Sequence, residues 1–116
     1  LRLAADLGVD ARWVSWAEMH PGVAAGADLL VSTAPAPSLT ALATGLVRGV
    51  GAVFDIVYDP WPTPLGAAAA DAGVPVLDGL DMLAGQAVDQ VRLMTGREVP
   101  LELLRSAAQD GLNARV

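Results

Sequence analysis

The stretch Val53–Gln86, VFDIVYDPWPTPLGAAAADAGVPVLDGLDMLAGQ, decides the fold of this 116-residue chain. It begins with a short apolar run that contains one acid, Asp55. The run must end at Pro60, because proline cannot donate a backbone hydrogen bond to a neighbouring strand. Pro62 and Pro64 then stiffen an extended loop, and Pro64 suits the first turn of the alanine-rich helix that follows. The stretch therefore predicts a strand whose carboxyl end delivers a polar loop.

The rest of the chain repeats this alternation of strand and helix. Apolar or alternating runs predict strands at 11–16, 27–33, 52–57 and 74–77, with 27–33 as the central strand. Apolar spacing and caps predict helices at 1–7, 17–25, 38–47, 64–72, 80–95 and 100–109. Short alternating β and α units predict the α/β class with a parallel sheet. Asp55, inside a strand, is expected to accept backbone hydrogen bonds or to cap a neighbouring helix.

In an open parallel sheet, ligands bind outside the carboxyl ends of the strands. Three loops meet that condition here, at 32–37, 58–63 and 78–79, and we expect them to share one edge of the sheet. A glycine-rich GxGxxG turn between a strand and a helix does not occur in the sequence. If a dinucleotide binds, its pyrophosphate loop is expected upstream of Leu1.

Composition narrows the class of protein. The chain carries a formal charge of −6 and no cysteine, and its basic residues are all arginine. It therefore offers neither a basic face for nucleic acid nor thiolate ligands for a metal. No apolar run is long enough to span a bilayer and no signal-peptide pattern is present, so we expect a cytoplasmic protein without membrane contact. The helix at 1–7 has no start signal, so the chain is expected to be part of something larger.

Two segments carry a resemblance to a known family. DIVYDPWPTPL at Asp55–Leu65, followed by GVPVLDGLDMLAGQAVDQVRLMTG at Gly73–Gly96, resembles the C-terminal part of shikimate dehydrogenases. The shared pattern is Asp-x-x-Tyr-x-Pro-x-x-Thr-Pro-Leu, then Gly-Leu-x-Met-Leu, then Gln-Ala. The resemblance implies that residues 1–116 are the C-terminal portion of a Rossmann-like NADP-binding domain with an incomplete parallel sheet. It also implies that the helices in 79–110 pack toward an N-terminal substrate domain outside the chain.

The resemblance also implies an activity. Family members reduce 3-dehydroshikimate to shikimate with NADPH, a step of chorismate and aromatic amino acid biosynthesis. Their catalytic Lys and Asp lie in the N-terminal domain, so the chain is expected to hold no catalytic residue and no metal, and to be inactive alone. A homodimer is a further implied assembly. Two alternatives stay open: a quinate or shikimate dehydrogenase that uses NAD, and a non-catalytic relative that binds a metabolite.

Two residues are implied to bind the substrate. Tyr58 resembles the family tyrosine whose hydroxyl contacts the substrate, and a phenol at the carboxyl end of a strand can reach across a cleft. Its structural alternative is an aromatic residue packed at the rim. Gln86 resembles the glutamine that hydrogen-bonds the hydroxyls and carboxylate of the substrate. It lies off the apolar stripe of its helix, and its alternative is a solvated side chain.

Five residues are implied to bind NADP. Gly79 resembles a glycine whose backbone lies against the nicotinamide, and an ordinary turn glycine is the alternative. Met82 and Ile56 are similar in position to apolar residues beside the nicotinamide, with core packing as the alternative. Ser32 and Thr33 stand where many members carry an Asn-Ala-Thr-Ser loop that touches the adenosine half. They keep hydroxyls there, but this departure leaves NADP and NAD both open.

Overall fold

The computed structural model describes residues 2–115, which form a three-stranded parallel sheet flanked by helices. Two short 3-10 helices, Trp16–Glu18 and Ala36–Leu39, supplement the regular elements. In chain order the regular elements are α1 Arg2–Asp6, β1 Leu29–Ser32, α2 Ala43–Leu46, β2 Ala52–Asp55, α3 Pro64–Asp71, β3 Val76–Leu77, α4 Gly79–Thr95 and α5 Leu101–Asn113. This arrangement confirms the predicted α/β class.

The strands run in the order β1-β2-β3, with Ser32 opposite Asp55 and Val53 opposite Val76. Their carboxyl ends therefore share one edge of the sheet, as predicted. The predicted central strand was wrong, however: within residues 2–115, β2 is the middle strand and β1 lies at a border. The apolar run of β1 does not show burial on both faces, because Leu29 and Val31 are each about half exposed.

An apolar cluster on one face of the sheet forms the core. α3 packs against β2 and α2 packs against α3, and Val53 and Leu65 are almost completely buried. Ala69 in α3 has no exposed surface, so a small side chain there lets the helix approach the sheet closely. The buried members are Leu39, Ala43, Leu46, Val47, Val50, Val53, Leu65 and Ala69.

The N-terminal third differs most from the predictions. Residues 11–16 form no strand, because a strand exists only through hydrogen bonds to a neighbour and no described residue pairs with them. In place of the predicted helix at 17–25 there is only the 3-10 helix Trp16–Glu18, which begins with a capping box formed by Ser15 and Glu18. Pro21 has no N–H for the bond that would continue the helix. The helix predicted at 38–47 is likewise split into Ala36–Leu39 and α2.

α4 follows β3 directly, and α5 packs back against α4 to form a helical hairpin. α4 agrees with the prediction: Asp78 caps it, and Gly96 ends it with a φ of 70°. α5 is longer than predicted and continues through Gly111 to Asn113. Leu101, the first residue of α5, is 47% exposed. Among residues 2–115, every helix is too short or too polar to cross a membrane.

The described chain is extended for its size. Its radius of gyration is 16.6 Å, whereas a compact domain of about 100 residues has a value of about 13 Å. The hairpin contributes to this shape, since α5 contains no fully buried residue. Large apolar side chains on the two hairpin helices remain exposed, namely Leu83, Leu93, Met94, Leu101 and Leu103.

Candidate functional site

A buried polar relay fixes the loop that follows β2. Asp55 is 1% exposed, and one of its carboxylate oxygens accepts a hydrogen bond of 2.7 Å from the hydroxyl of Thr63. The other oxygen accepts one from the N–H of Val57. The Thr63 hydroxyl in turn accepts from the N–H of Gly66 and caps α3. The structural role predicted for Asp55 is confirmed, and the relay joins the two ends of the proline-rich loop that carries Tyr58.

At Gly79, α4 lies close to the segment that follows β2. A side-chain carbon built on Gly79 would lie 2.1 Å from the carbonyl oxygen of Ile56 and 2.8 Å from the ring of Tyr58. Neither approach is sterically tolerable, so packing within the chain alone requires glycine at this position. The first residue of α4 therefore touches two of the residues predicted to form the site.

The N-terminus of α4 is tied to the middle of α5 by two ion pairs. Arg105 donates through Nε to Asp81 and through Nη2 to Asp78, each over 2.8 Å. Asp78 and Asp81 also accept from each other's backbone N–H, which completes a capping box. Burial raises the pKa of Asp81, but the Asp78 N–H and the Arg105 guanidinium together outweigh it and hold the pKa below its ordinary value.

A cleft of about 410 Å³ opens between the proline-rich loop and α5. Tyr58 and Trp61 line it from the loop, and Arg105, Gln109 and Asn113 line it from α5. Its size falls within the range of small-molecule sites. Its walls combine aromatic rings and amide groups with the carboxylates of Asp59 and Asp78, the second of which is paired with Arg105. Such a lining suits a small polar ligand that carries hydroxyl groups.

A second cavity of about 210 Å³ lies beside the end of β1. Its walls are mainly apolar and include Trp16, Met19 and Val31, together with Ser32 and Thr33. The Ser32 hydroxyl is buried and has no hydrogen-bond partner among the described residues. A buried hydroxyl without a partner is costly, so a ligand that supplies one would be favoured at this position.

The structure brings most of the predicted residues to one edge of the sheet. The N–H of Ile56 donates to the carbonyl of Ser32 over 3.1 Å, and Gly79 touches Ile56 and Tyr58. Thr33 follows Ser32 and is exposed. These contacts join the ends of all three strands.

Met82 and Gln86, the other two predicted site residues of α4, lie in different surroundings. Met82 is half-buried in the first turn, whereas Gln86 is exposed and does not line the cleft that contains Tyr58. Gln86 lies one turn beyond Met82 on the same side of the helix and about 10 Å along the axis from Gly79. The described chain alone therefore does not bring Gln86 and Tyr58 into one pocket.

Sequence reasoning missed two residues of the cleft. Trp61 lies against Gly66 at the start of α3 and lines the cleft. The sequence contained an indication of this position, because a proline on each side of Trp61 restricts the backbone that carries its ring. Arg105 lies 24 and 27 residues from its carboxylate partners. No local pattern links it to them, because the contact depends on how α5 folds back over α4.

Comparisons with known proteins agree with this architecture. Residues 79–109 match the family model of the shikimate 5'-dehydrogenase C-terminal domain. The chain is 37% identical over 95% of its length to a shikimate dehydrogenase (NADP(+)) of Oleidesulfovibrio alaskensis. It superposes on the shikimate dehydrogenase of Mycobacterium tuberculosis with a TM-score of 0.75 and 38% identity over 96% of the chain, and on that of Mycobacterium fortuitum with 0.78 and 39% over 91%. In each case it covers 40% of the other protein.

A parallel sheet with two clefts at its carboxyl edge places the chain among α/β proteins that bind small ligands at that edge. The matched sequences and structures narrow the class. The chain is similar to the C-terminal part of shikimate dehydrogenases.

Proposed function

We propose that this chain is the cofactor-domain portion of an NADP-dependent shikimate dehydrogenase, which reduces 3-dehydroshikimate to shikimate. The observation that carries the proposal is the contact of Gly79 with Ile56 and Tyr58 at the carboxyl edge of the sheet. The names of the relatives support NADP as the cofactor. A similar enzyme of Thermus thermophilus, with a TM-score of 0.66 and 28% identity, was solved in complex with shikimate.

On the substrate side, Tyr58 is proposed to orient the substrate through its hydroxyl. It lines the 410 Å³ cleft together with the amide groups of Gln109 and Asn113 in α5, which can hydrogen-bond a hydroxylated acid. Gln86 is proposed to complete this binding surface when a substrate domain covers the exposed side of α4. The exposure of Gln86 supports this assignment, because an amide needs an uncovered face to meet a partner domain.

On the cofactor side, the residues present fit part of a nicotinamide dinucleotide. The cavity beside β1 offers apolar walls and the unpaired Ser32 hydroxyl, and Thr33 adds a second hydroxyl. Ile56, Gly79 and Met82 are proposed to border the nicotinamide. When bound, NADPH supplies the hydride, while the residues of this chain bind and orient the two reactants.

The test is an assay of the full-length protein with each pairing of NADPH or NADH with 3-dehydroshikimate or 3-dehydroquinate. We expect turnover to be fastest with NADPH and 3-dehydroshikimate. A preference for NADH or for the quinate pair would favour the alternative dehydrogenase. Binding of the acid without turnover would favour a non-catalytic relative. The 116-residue chain assayed alone is expected to be inactive.

Two matched substitutions test the site residues in that protein. Gln86→Ala is expected to lower kcat/KM by about tenfold, the effect of losing one hydrogen bond to a charged or polar substrate, and to spare NADPH binding. Gln90→Ala, one turn further along the same exposed helix, is the control and should leave the kinetics unchanged. Equal kinetics for the two variants would remove Gln86 from the site. The cytoplasmic location and the homodimer stay predictions from the sequence.

A further inference from the structure

Arg105 is the residue through which α5 holds the N-terminus of α4. Its side chain is 30% exposed, and its guanidinium lies between two carboxylates. The side chain of one of them, Asp78, is only 7% exposed. A third, longer contact of 3.4 Å reaches the side-chain oxygen of Gln109 one turn further along α5. Three donors of one planar group are thus engaged at once, which fixes the position and rotation of the side chain.

The two carboxylates are the ones that define where α4 begins. Asp78 is the N-cap and Asp81 the third residue of the helix, and each accepts from the backbone of the other. Gly79 lies between them in the chain. Because Arg105 holds both side chains of this capping box, it also fixes the first turn that contains Gly79.

The position of Gly79 has little tolerance. Its backbone already lies so close to the Ile56 carbonyl and the Tyr58 ring that no additional carbon fits. A shift of the first turn of α4 would therefore change its spacing from the residues proposed to bind nicotinamide and substrate. Hydride transfer depends steeply on such spacing, since a displacement of about 1 Å can cost about a hundredfold in rate.

We infer that Arg105 is a positioning residue for hydride transfer: through Asp78 and Asp81 it sets the spacing between Gly79 and Tyr58. This inference rests on the proposed function. The chain contains a suitable reference in Arg92, which pairs with Asp89 on the same helix, α4. Both partners there are more than half exposed, at 53% and 67%, and exposed pairs of this kind contribute little.

The experiment compares three variants of the full-length protein with the wild type. Arg105→Met removes the charge and every donor, Arg105→Lys keeps the charge without the planar fork, and Arg92→Met is the control. The measurements are kcat and both KM values, normalised to the folded fraction by circular dichroism at the assay temperature. We expect Arg105→Met to lower kcat about tenfold with each KM within about twofold of wild type, and Arg105→Lys to lower kcat about threefold. Arg92→Met should match the wild type.

The remaining outcomes separate a failure of the proposed function from a failure of the positioning role of Arg105. A wild-type protein without turnover would refute the proposed function rather than the role of Arg105. If the wild type is active, an unchanged kcat per folded molecule in the Arg105 variants would overturn the inference. A raised KM for 3-dehydroshikimate with normal kcat would also overturn it, because Arg105 would then bind substrate directly. If Arg105→Met does not fold, Arg105→Lys decides alone, and wild-type kcat in that variant rejects the positioning role.

Discussion

The sheet core, formed by β1–β3 with α2 and α3, and the hairpin of α4 and α5 are held together by different interactions. In the sheet core, apolar side chains from the 3-10 helix Ala36–Leu39, α2, β2 and α3 pack together and lose nearly all contact with water. In the hairpin, burial is confined to the base of α4, at Gly79, Leu80 and Ala84, and α5 has no buried residue. The core thus supplies its own stability by burial, whereas the hairpin depends on polar contacts at its base and leaves apolar surface uncovered.

The comparison predicts its largest effect in the sheet core. Leu65→Ala is expected to lower the free energy of unfolding by about 3 kcal/mol, because it removes a 1% exposed side chain and leaves a cavity. Leu65→Met conserves volume and should cost less than about 1.5 kcal/mol. Urea unfolding of the full-length variants measures both values. A similar loss for the two substitutions would show that packing at Leu65 is not what stabilises the core.

The junction between the two regions is tested at Gly79. Gly79→Ala is expected to cost about 1–3 kcal/mol of stability, because the added methyl group collides with the Ile56 carbonyl and the Tyr58 ring. The same substitution at Gly85, which has nothing within 4 Å, should instead stabilise α4 by about 0.5–1 kcal/mol. Thermal unfolding distinguishes the two. If both substitutions stabilise the protein, the close approach of Gly79 to Ile56 and Tyr58 does not restrict the residue at position 79.

A polar contact inside the sheet core is expected to matter as well. Thr63→Val removes the cap of α3 and leaves the buried Asp55 carboxylate without its hydroxyl donor, so stability should fall by about 1–2 kcal/mol. The control is Thr40→Val. Its hydroxyl makes an exposed hydrogen bond to the Pro37 carbonyl, and its loss should change stability by less than about 0.5 kcal/mol. Indistinguishable urea midpoints for the two valine variants would contradict the relay.

The smallest effect is expected at the base of the hairpin and depends on pH. The pKa of Asp81 is lowered in the folded protein from an ordinary value of 3.8. Its contribution to stability is therefore fully present above the unfolded pKa and is lost as the pH falls through the folded one. The melting temperature of the wild type should fall more steeply below about pH 4 than that of Asp81→Asn. The effect is small because water screens a partly exposed carboxylate. Parallel melting curves would exclude a stabilising charge at Asp81.

Elements fixed by neighbouring residues could be predicted from the sequence, whereas contacts between distant residues could not. α3 and α4 were predicted within a residue or so of their ends, because their caps, their prolines and their terminal glycines are neighbours in the chain. The strand predicted at 11–16 was wrong because pairing is decided by distant residues, and an alternating pattern does not supply a partner. For the same reason the grouping of Arg105 with Asp78 and Asp81 could not be predicted, while the buried role of Asp55 could.

The candidate site was likewise predictable only where strand topology brings its residues together. The convergence of Ile56, Tyr58 and Gly79 was predictable, because parallel strands place their carboxyl ends together. The steric reason for glycine at position 79 was not predictable, since it depends on how closely the start of α4 approaches Ile56 and Tyr58 in the folded chain. Gln86 marks the opposite case. The sequence correctly predicted that it faces away from the core, but its proposed meeting with Tyr58 requires a surface that residues 2–115 do not provide.

The ring of Trp61, which packs against Gly66, makes ligand binding observable through intrinsic tryptophan fluorescence. The chain has three tryptophans, and Trp13 and Trp16 are 69% and 59% exposed, whereas Trp61 is 38% exposed and forms one wall of the cleft beside Tyr58. Indole emission shifts to shorter wavelength when water leaves the ring. A molecule that enters the cleft should therefore shift the intrinsic fluorescence of the chain, so binding can be followed by titration without a label and without turnover.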